Sequence, residues 1–471
     1  MQVDTSIFIG LPVRNLPPSR SIPERAGAAL QRLQFGWLLL LAIACPAVAA
    51  ELLAGPDDYR EAVRRLRAGD VLRLAPGVYT HGLNVHRLEG SEGRPIVIRG
   101  ADAPRRTVFV ASPGRNTVSI VDSAHVTVGD LTLTGGQVPV DAVKAEGHAR
   151  YAHHITLERL LIEGYDASQQ NVAISTKCPA WGWVIRDNVI DGAGTGLYLG
   201  NSDGSAPFVR GVIENNVVVG TRGYAMQIKH QAAWPEVIGV VDEPGETVIR
   251  YNSFGKDQRS SAGELARPNL LLGHWPLSGK GARDRYLVYG NLFVDNPHEA
   301  LLQAEGNVTI YNNVFINRYG DAVQLREHND VPRAVDVFRN TIMAAGTGLL
   351  LRNADPSARQ SLESNAVFAA EVAPESLGQS NLTRSPAEAR WFVRNPGDAL
   401  GLLDLAPIDR QLDDRRWSTS SRAELPDVEL DFDRKRRRRP TFGAYASDAK
   451  GQAVRFSHLA PLLRAPRLPA R

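Results

Sequence analysis

Cysteine is nearly missing from this chain. Only Cys45 and Cys178 occur in 471 residues, which excludes a disulfide framework as the source of stability. Neither sign of charge dominates, with 54 Lys and Arg against 51 Asp and Glu, so no overall field marks a polyelectrolyte partner. Helical spacing is absent from the long middle of the chain, which excludes a bundle there. No apolar run reaches membrane-spanning length. The longest, Phe35-Gly-Trp-Leu-Leu-Leu-Leu-Ala-Ile-Ala44, is too short for a transmembrane helix.

What is abundant is turn chemistry, with 42 Gly and 29 Pro, and one recurring frame. An aliphatic residue, two variable residues and an Asn recur at Ile185-Arg-Asp-Asn188, Ile213-Glu-Asn-Asn216, Ile249-Arg-Tyr-Asn252, Val288-Tyr-Gly-Asn291, Ile310-Tyr-Asn-Asn313, Val337-Phe-Arg-Asn340 and Leu362-Glu-Ser-Asn365. Two earlier units keep the frame with Leu131 and Leu160 in the Asn slot. Successive slots are 29, 28, 28, 36, 39, 22, 27 and 25 residues apart, a period that announces a repeat architecture. Within each unit, alternating apolar runs such as Val126-Thr-Val128 are broken by Gly, Asn and Asp, which means short strands. One unit suits one coil of three strands. Asn tolerates the left-handed conformation, and its amide can bond the Asn of the next coil. A β-sandwich with Asn-rich turns would not reproduce one slot nine times. The expected fold is therefore all-β, a right-handed parallel β-helix.

The beginning of the chain reads as an export signal: Arg25 and Arg32, the apolar run, then the small-residue site Ala47-Val-Ala-Ala50. A secreted or periplasmic protein is expected, with residues 1–50 as signal and upstream extension and no lipid anchor at Cys45. Nucleic acid is not an expected partner of an exported chain, and a monomer is expected. Residues 51–100 should form an N-terminal cap and the first coils. Residues 101–375 should form the coils proper, with insertions at 231–248 and 255–285, and residues 376–471 the final coils, a cap and a basic tail.

The cap region carries a more specific signal. Asp57-Asp-Tyr-Arg-Glu-Ala-Val-Arg-Arg-Leu-Arg67 is a short amphipathic helix. It precedes Gly69-Asp-Val-Leu-Arg-Leu-Ala-Pro-Gly-Val-Tyr79 and Gly93-Arg-Pro-Ile-Val-Ile-Arg-Gly100. This opening resembles that of the secreted family containing chondroitin B lyases and alginate lyases, whose fold is pectin lyase-like. The closing Asp431-Phe-Asp433 and Thr441-Phe-Gly-Ala-Tyr445 are similar to that group's usual end. The resemblance spans nearly the whole exported chain and implies a capping helix, an acidic polysaccharide substrate and, in many members, a Ca2+ ion.

The strand after each slot locates a candidate site. Aligned rows are Leu197-Tyr-Leu-Gly-Asn201, Met226-Gln-Ile-Lys-His230, Leu270-Leu-Leu-Gly-His274, Leu301-Leu-Gln-Ala-Glu305, Val323-Gln-Leu-Arg-Glu327 and Leu349-Leu-Leu-Arg-Asn353. First and third positions should face the core, although Gln303 then falls inward without an explanation. The outward fourth column puts Lys229, Arg326 and Arg352 on one face, with Gly273 and Ala304 as a floor between them. The fifth column carries His230, His274, Glu305 and Glu327. The two longest intervals flank this place, and their insertions hold Trp234, Lys256, Asp257, Arg259, Arg267, Trp275, Lys280 and Arg283. Guanidinium groups suit carboxylate or sulfate, and indoles suit sugar faces. The run Arg434-Lys-Arg-Arg-Arg-Arg439 reads as a solvated loop.

β-Elimination from a uronate needs a base at C5, a group that neutralises the carboxylate and an acid for the leaving oxygen. In the family resembled, a Lys on this strand is the base and an Arg in an R-H-G stretch one coil later assists. Lys229 falls on the Lys position, and Gly273-His274-Trp275 keeps the His while replacing the Arg with Gly273. No acidic cluster before Lys229 matches the family's calcium ligands. Catalytic candidates are Lys229, His230 and His274. Substrate-binding candidates are Arg267, Trp275, Arg326, Arg352, Glu305 and Glu327. Metal ligands remain unknown. Two other readings stay open: a glycoside hydrolase using Asp257 with Asp284 or Glu305 with Glu327, and a non-catalytic glycan-binding or envelope protein.

Overall fold

The computed structural model describes residues 49–102, 105–371, 380–397, 400–414, 422–449 and 454. The export-signal segment through Cys45 and the last residues of the basic tail lie outside these. The described chain belongs to a single compact unit, Val48–Arg471. Among the described residues no helix is long and apolar enough to cross a membrane.

Three long sheets run the length of the repeats, and every strand pair within them is parallel. Each coil visits them in turn. For one coil these are Val184–Arg186 in the first sheet, Val189–Ala193 in the second and Thr195–Leu199 in the third. The next coil lays Val212–Glu214, Val217–Val219 and Met226–Ile228 beside them in register. This is a right-handed parallel β-helix, the hand that parallel crossovers almost always take. Among the described strands one pair is antiparallel, a small ribbon of Val393–Asn395 with Asp404–Pro407.

The Asn slot sits at the corner between the first and second sheets, and the nine slots stack in one line. Each Asn donates its Nδ2 to the Oδ1 of the next: Asn188 to Asn216 at 2.9 Å, Asn216 to Asn252 at 2.9 Å, Asn252 to Asn291 at 3.0 Å, Asn291 to Asn313 at 3.0 Å, Asn313 to Asn340 at 2.9 Å and Asn340 to Asn365 at 2.9 Å. The ladder runs one step beyond the sequence pattern, from Asn365 to Asn381 at 2.9 Å. At its other end, Leu160 donates its main-chain N–H to Asn188 at 2.9 Å. The left-handed turn belongs to the preceding residue rather than to the Asn. Asp187, Asn215, Tyr251, Asn312, Arg339 and Ser364 have φ between 52° and 58°. The corner is made by that residue, which leaves the Asn amide free to satisfy main-chain groups.

Inside the coils apolar side chains stack in columns. Phe254, Phe293 and Phe315 are stacked with centroids 5.1 and 4.7 Å apart. The helix Tyr59–Arg65 forms where the sequence places one, and its Tyr59 and Val63 join the core. Tyr59 meets Tyr79 and Phe109 edge-on, at 5.0 and 5.7 Å.

The C-terminal segment lies along the outside of the coils. Leu425 and Val428 cover Tyr289, Tyr311 and Phe338. The basic run is correspondingly not a free loop. Arg437 donates to Asn312 Oδ1 at 2.9 Å and to the carbonyls of Gly443, Ala444 and Tyr445. Arg434 lies 3.7 Å from the Tyr251 ring centroid. The closing Asp431 accepts main-chain N–H groups from Lys435 and Ala446, so that motif serves as a buried turn.

Candidate functional site

The third sheet carries a polar cleft of about 760 Å³ across the coils whose third-sheet strands run from Val118 to Met226. Its floor is set by the strand register. Lys144, Ser175, Tyr198 and Gln227 occupy the second position of successive rows. One fourth-position column carries Lys177, Gly200 and Lys229. The walls come from loops between the second and third sheets, which supply Asp141, Gln169, Asn171, Tyr224 and Arg267.

Two amines flank one phenol. The Lys177 Nζ lies 3.4 Å from the Tyr198 ring centroid, and the Lys229 Nζ 5.9 Å from it. Gly200 stands between the two lysines, with φ 95°, and a Cβ there would meet Lys229 Cβ at 3.2 Å. The small residue therefore keeps the space between the amines open.

Burial lowers the proton affinity of both lysines. Lys177 is brought down to about 8, chiefly by desolvation and secondarily by the neighbouring Lys144 charge. Lys229 is lowered by desolvation, against the attraction of Glu305. Burial raises Tyr198 and Tyr224. Lys144 pairs with Asp141 at 3.1 Å. Arg267 donates to the carbonyls of Glu264 and Ala266, with its guanidinium 5.9 Å from the Tyr224 centroid.

The candidates named from sequence divide into three groups. Lys229 and Arg267 line the cleft. His230 and His274 stand at the strand ends next to Lys229, rings stacked at 5.3 Å. His274 is buried and its Nδ1–H donates to the Trp275 carbonyl at 2.7 Å. Burial, then His274 and Lys229, lower the His230 proton affinity. Arg326 and Arg352 lie further along the sheet and are already paired, with Glu299 at 3.5 Å and Glu327 at 3.3 Å.

Trp275 and Glu305 are corrections. Trp275 is 1% exposed and packs on Tyr286 at 4.4 Å, so it offers no face to a sugar. Glu305 is 0% exposed. Its carboxylate accepts main-chain N–H groups from His274, His328, Asn329 and Asp330 at 3.1, 2.9, 2.7 and 2.9 Å. It shapes a loop and is unavailable to ligand.

The misplacement of Glu305 came from a one-residue slip. Leu270 pairs with Leu302, not Leu301, and Leu271 with Gln303. Gln303 therefore faces outward, which removes its anomaly, while Ala304 enters the core. Glu305, rather than Ala304, stands in the fourth column, so there is no shallow floor between Lys229 and Arg326. The open cleft lies on the other side of Lys229. Gly273 also has a physical reason, since a Cβ there would lie 2.2 Å from the His230 nitrogen.

Lys144, Lys177, Tyr198 and Tyr224 were missed. The signal was present: extending the rows backward to Val143-Lys-Ala145 and Ile174-Ser-Thr176 would have placed both lysines on the same face. The insertions were misjudged too. Trp234 and Ile238 pack with Trp181 and Val209 on the first sheet, and from the second insertion Arg267 reaches the cleft.

The carboxylates needed by a glycosidase are committed elsewhere. Asp284 is buried in a pair with Arg210 at 2.9 Å, and Asp257 is paired with Arg259 at 2.7 Å. Asp141 is the single acid among the described residues lining the cleft. Calcium requires six or more oxygen ligands. One buried and already paired carboxylate does not fit it.

Fold and site together define a parallel β-helix with a cationic, tyrosine-lined cleft on one sheet. No family model matches the chain, and no curated protein does. Among solved structures it is similar to the PL6 family alginate lyase AlyGC, at 13% identity and TM-score 0.44 over 71% of this chain and 51% of that one. The chain thus spans about half the length of that lyase. It is also similar to the pectate lyase Pel9A, at 13% identity and TM-score 0.44 over 85% of this chain and 97% of that one. A third likeness is to the Azotobacter vinelandii mannuronan C-5 epimerase AlgE4 A-module, at 14% identity and TM-score 0.28 over 69% and 87%.

Proposed function

We propose that the cleft binds an acidic, uronate-containing polysaccharide and acts on it by abstracting the proton at C5, as a lyase or an epimerase. The observation that carries this reading is the Lys177–Tyr198–Lys229 group, two desolvated amines on either side of a phenol in an open, cation-lined cleft. Arg267 and Lys144 stand where they can neutralise a uronate carboxylate, which makes its C5 proton more acidic.

A neutral amine then takes that proton. In elimination the C5–H electrons form the C4=C5 double bond, the C4–O bond breaks, and the leaving oxygen takes a proton from the Tyr198 hydroxyl. In epimerisation a proton returns to C5 from the other face, and no bond to C4 breaks. The resemblance in the sequence implies Lys229 as the base. Electrostatics favours Lys177, whose value near 8 leaves roughly a tenth of the amine free at neutral pH. Lys229 then serves as the second cation.

Incubation of purified protein with alginate, pectate and glycosaminoglycans, with and without chelator, tests the reading. Unsaturated products absorbing in the ultraviolet identify a lyase, and solvent-deuterium incorporation at C5 without chain cleavage identifies an epimerase. Wild-type protein that binds these polymers but does neither would reduce the cleft to a glycan-binding surface. Reducing ends without unsaturation would mark a hydrolase.

A further inference from the structure

A second group of side chains lies on the first sheet, away from the cleft. His125 belongs to the strand Ser123–Gly129, and His153 and His154 to the neighbouring strand Ala152–Glu158. The register pairs Ser123 with Ala152, Ala124 with His153 and Val126 with Ile155, which leaves His125 beside His154. In a regular strand His153 and His154 would point to opposite faces. They do not, because His154 has φ 50° and His125 has φ 52°. That left-handed kink turns both rings of the pair outward. Histidine is among the non-glycine residues that adopt this conformation more readily. At the same place one coil on, the chain uses Gly182, with φ 65°, whose missing side chain leaves the His154 ring its room.

The rings are held in place. His125 and His154 stack at 4.5 Å and 8°, and His153 stacks on Trp181 at 4.3 Å and 13°. The Nδ1 atoms of His153 and His154 are 2.7 Å apart. One ring nitrogen from each of the three residues falls within 4.8 Å of the others. A tetrahedral ion with Zn–N near 2.0–2.1 Å would need nitrogens roughly 3.3 Å apart, so small ring rotations suffice. Behind the group, Tyr151 donates its hydroxyl to Glu89 at 2.6 Å and its ring lies 5.4 Å from His153.

We propose that His125, His153 and His154 form a binding site for a zinc-class divalent transition metal, which links two adjacent coils and leaves a fourth coordination position open. Three imidazoles suit zinc, copper or nickel, whereas calcium and magnesium require oxygen donors.

The test is calorimetric titration of the full protein with zinc chloride, with melting temperature measured in parallel. His153→Phe keeps the stack on Trp181 and removes the ligand. His125→Asn and His154→Asn remove ligands with a residue that accepts the left-handed conformation. The expected result is one zinc per chain, a zinc-dependent rise in melting temperature, and affinity about tenfold weaker or worse in each variant. His230→Asn should bind as wild type, and calcium chloride should give no saturable heat. Absence of zinc binding in the wild type would overturn the proposal. So would undiminished binding in His153→Phe and His125→Asn with metal-free melting temperatures unchanged, or loss in His230→Asn alone.

Discussion

At the residue scale, one cleft lysine, its neighbouring tyrosine and one arginine outside the cleft carry the sharpest expectations. Lys177→Met and Tyr198→Phe should each lower kcat by orders of magnitude without lowering the melting temperature, since both side chains stand outside the apolar core. If Lys177 is the base, kcat/KM should rise as pH increases through about 8, and that limb should vanish or move in Lys177→Arg. The same shift has a stability consequence. The unfolded amine keeps its proton up to its ordinary value of 10.5, the folded one only up to about 8. Between these values the unfolded chain binds more protons, so stability rises with pH across that window. Denaturant midpoints of wild type and Lys177→Met should therefore converge as pH rises from about 8 to about 10. Arg437 makes a different kind of claim. Its planar fork reaches Asn312 and three carbonyls at once, a set that a lysine ammonium cannot reproduce. Arg437→Lys should lower the melting temperature nearly as much as Arg437→Ala.

At the scale of the element, the Asn corner and the strand rows obey different physics. Each ladder Asn bonds the next amide and a main-chain carbonyl of the preceding coil, as Asn252 does with Asn291 and with Ile213 at 2.9 Å. Asn252→Ala leaves buried partners unsatisfied and should destabilise by roughly 1–3 kcal/mol in chemical denaturation. Asn381→Ala, at the ladder's end, should give a smaller loss. This corner was legible in the sequence because one side chain must recur for the bonds to close. The row at Leu301 was not. Leu301 and Leu302 are both apolar and both buried, so alternation alone admits either register. Main-chain pairing chose Leu302, and that choice moved Glu305 out of the candidate site.

For the whole molecule, where chain length collects is not where ligand space opens. The long insertions suggested a groove between Lys229 and Arg326, yet Trp234 and Trp275 both pack inward. The open volume lies instead over earlier coils, between Lys144 and Arg267. If that cleft holds an anionic chain, added salt should raise KM several-fold with little change in kcat, because partly exposed charges are screened. A salt-insensitive KM measured with a uronate oligomer would place binding elsewhere.

Periodicity, corner chemistry and strand count were determined by the sequence alone, because a solenoid repeats its local rules and each coil must present the same corner to its neighbour. The position of Lys229 was legible for the same reason. What only the tertiary structure decided was which charges remain available. Glu305, Asp284 and Arg437 read as surface chemistry in one dimension, but each is consumed by partners on other coils or on the C-terminal segment. Lys177 went unnoticed in the sequence, and only stacking brought it beside Tyr198 in a space that desolvates it. Burial is a property of neighbours distant in sequence, and no local pattern encodes it.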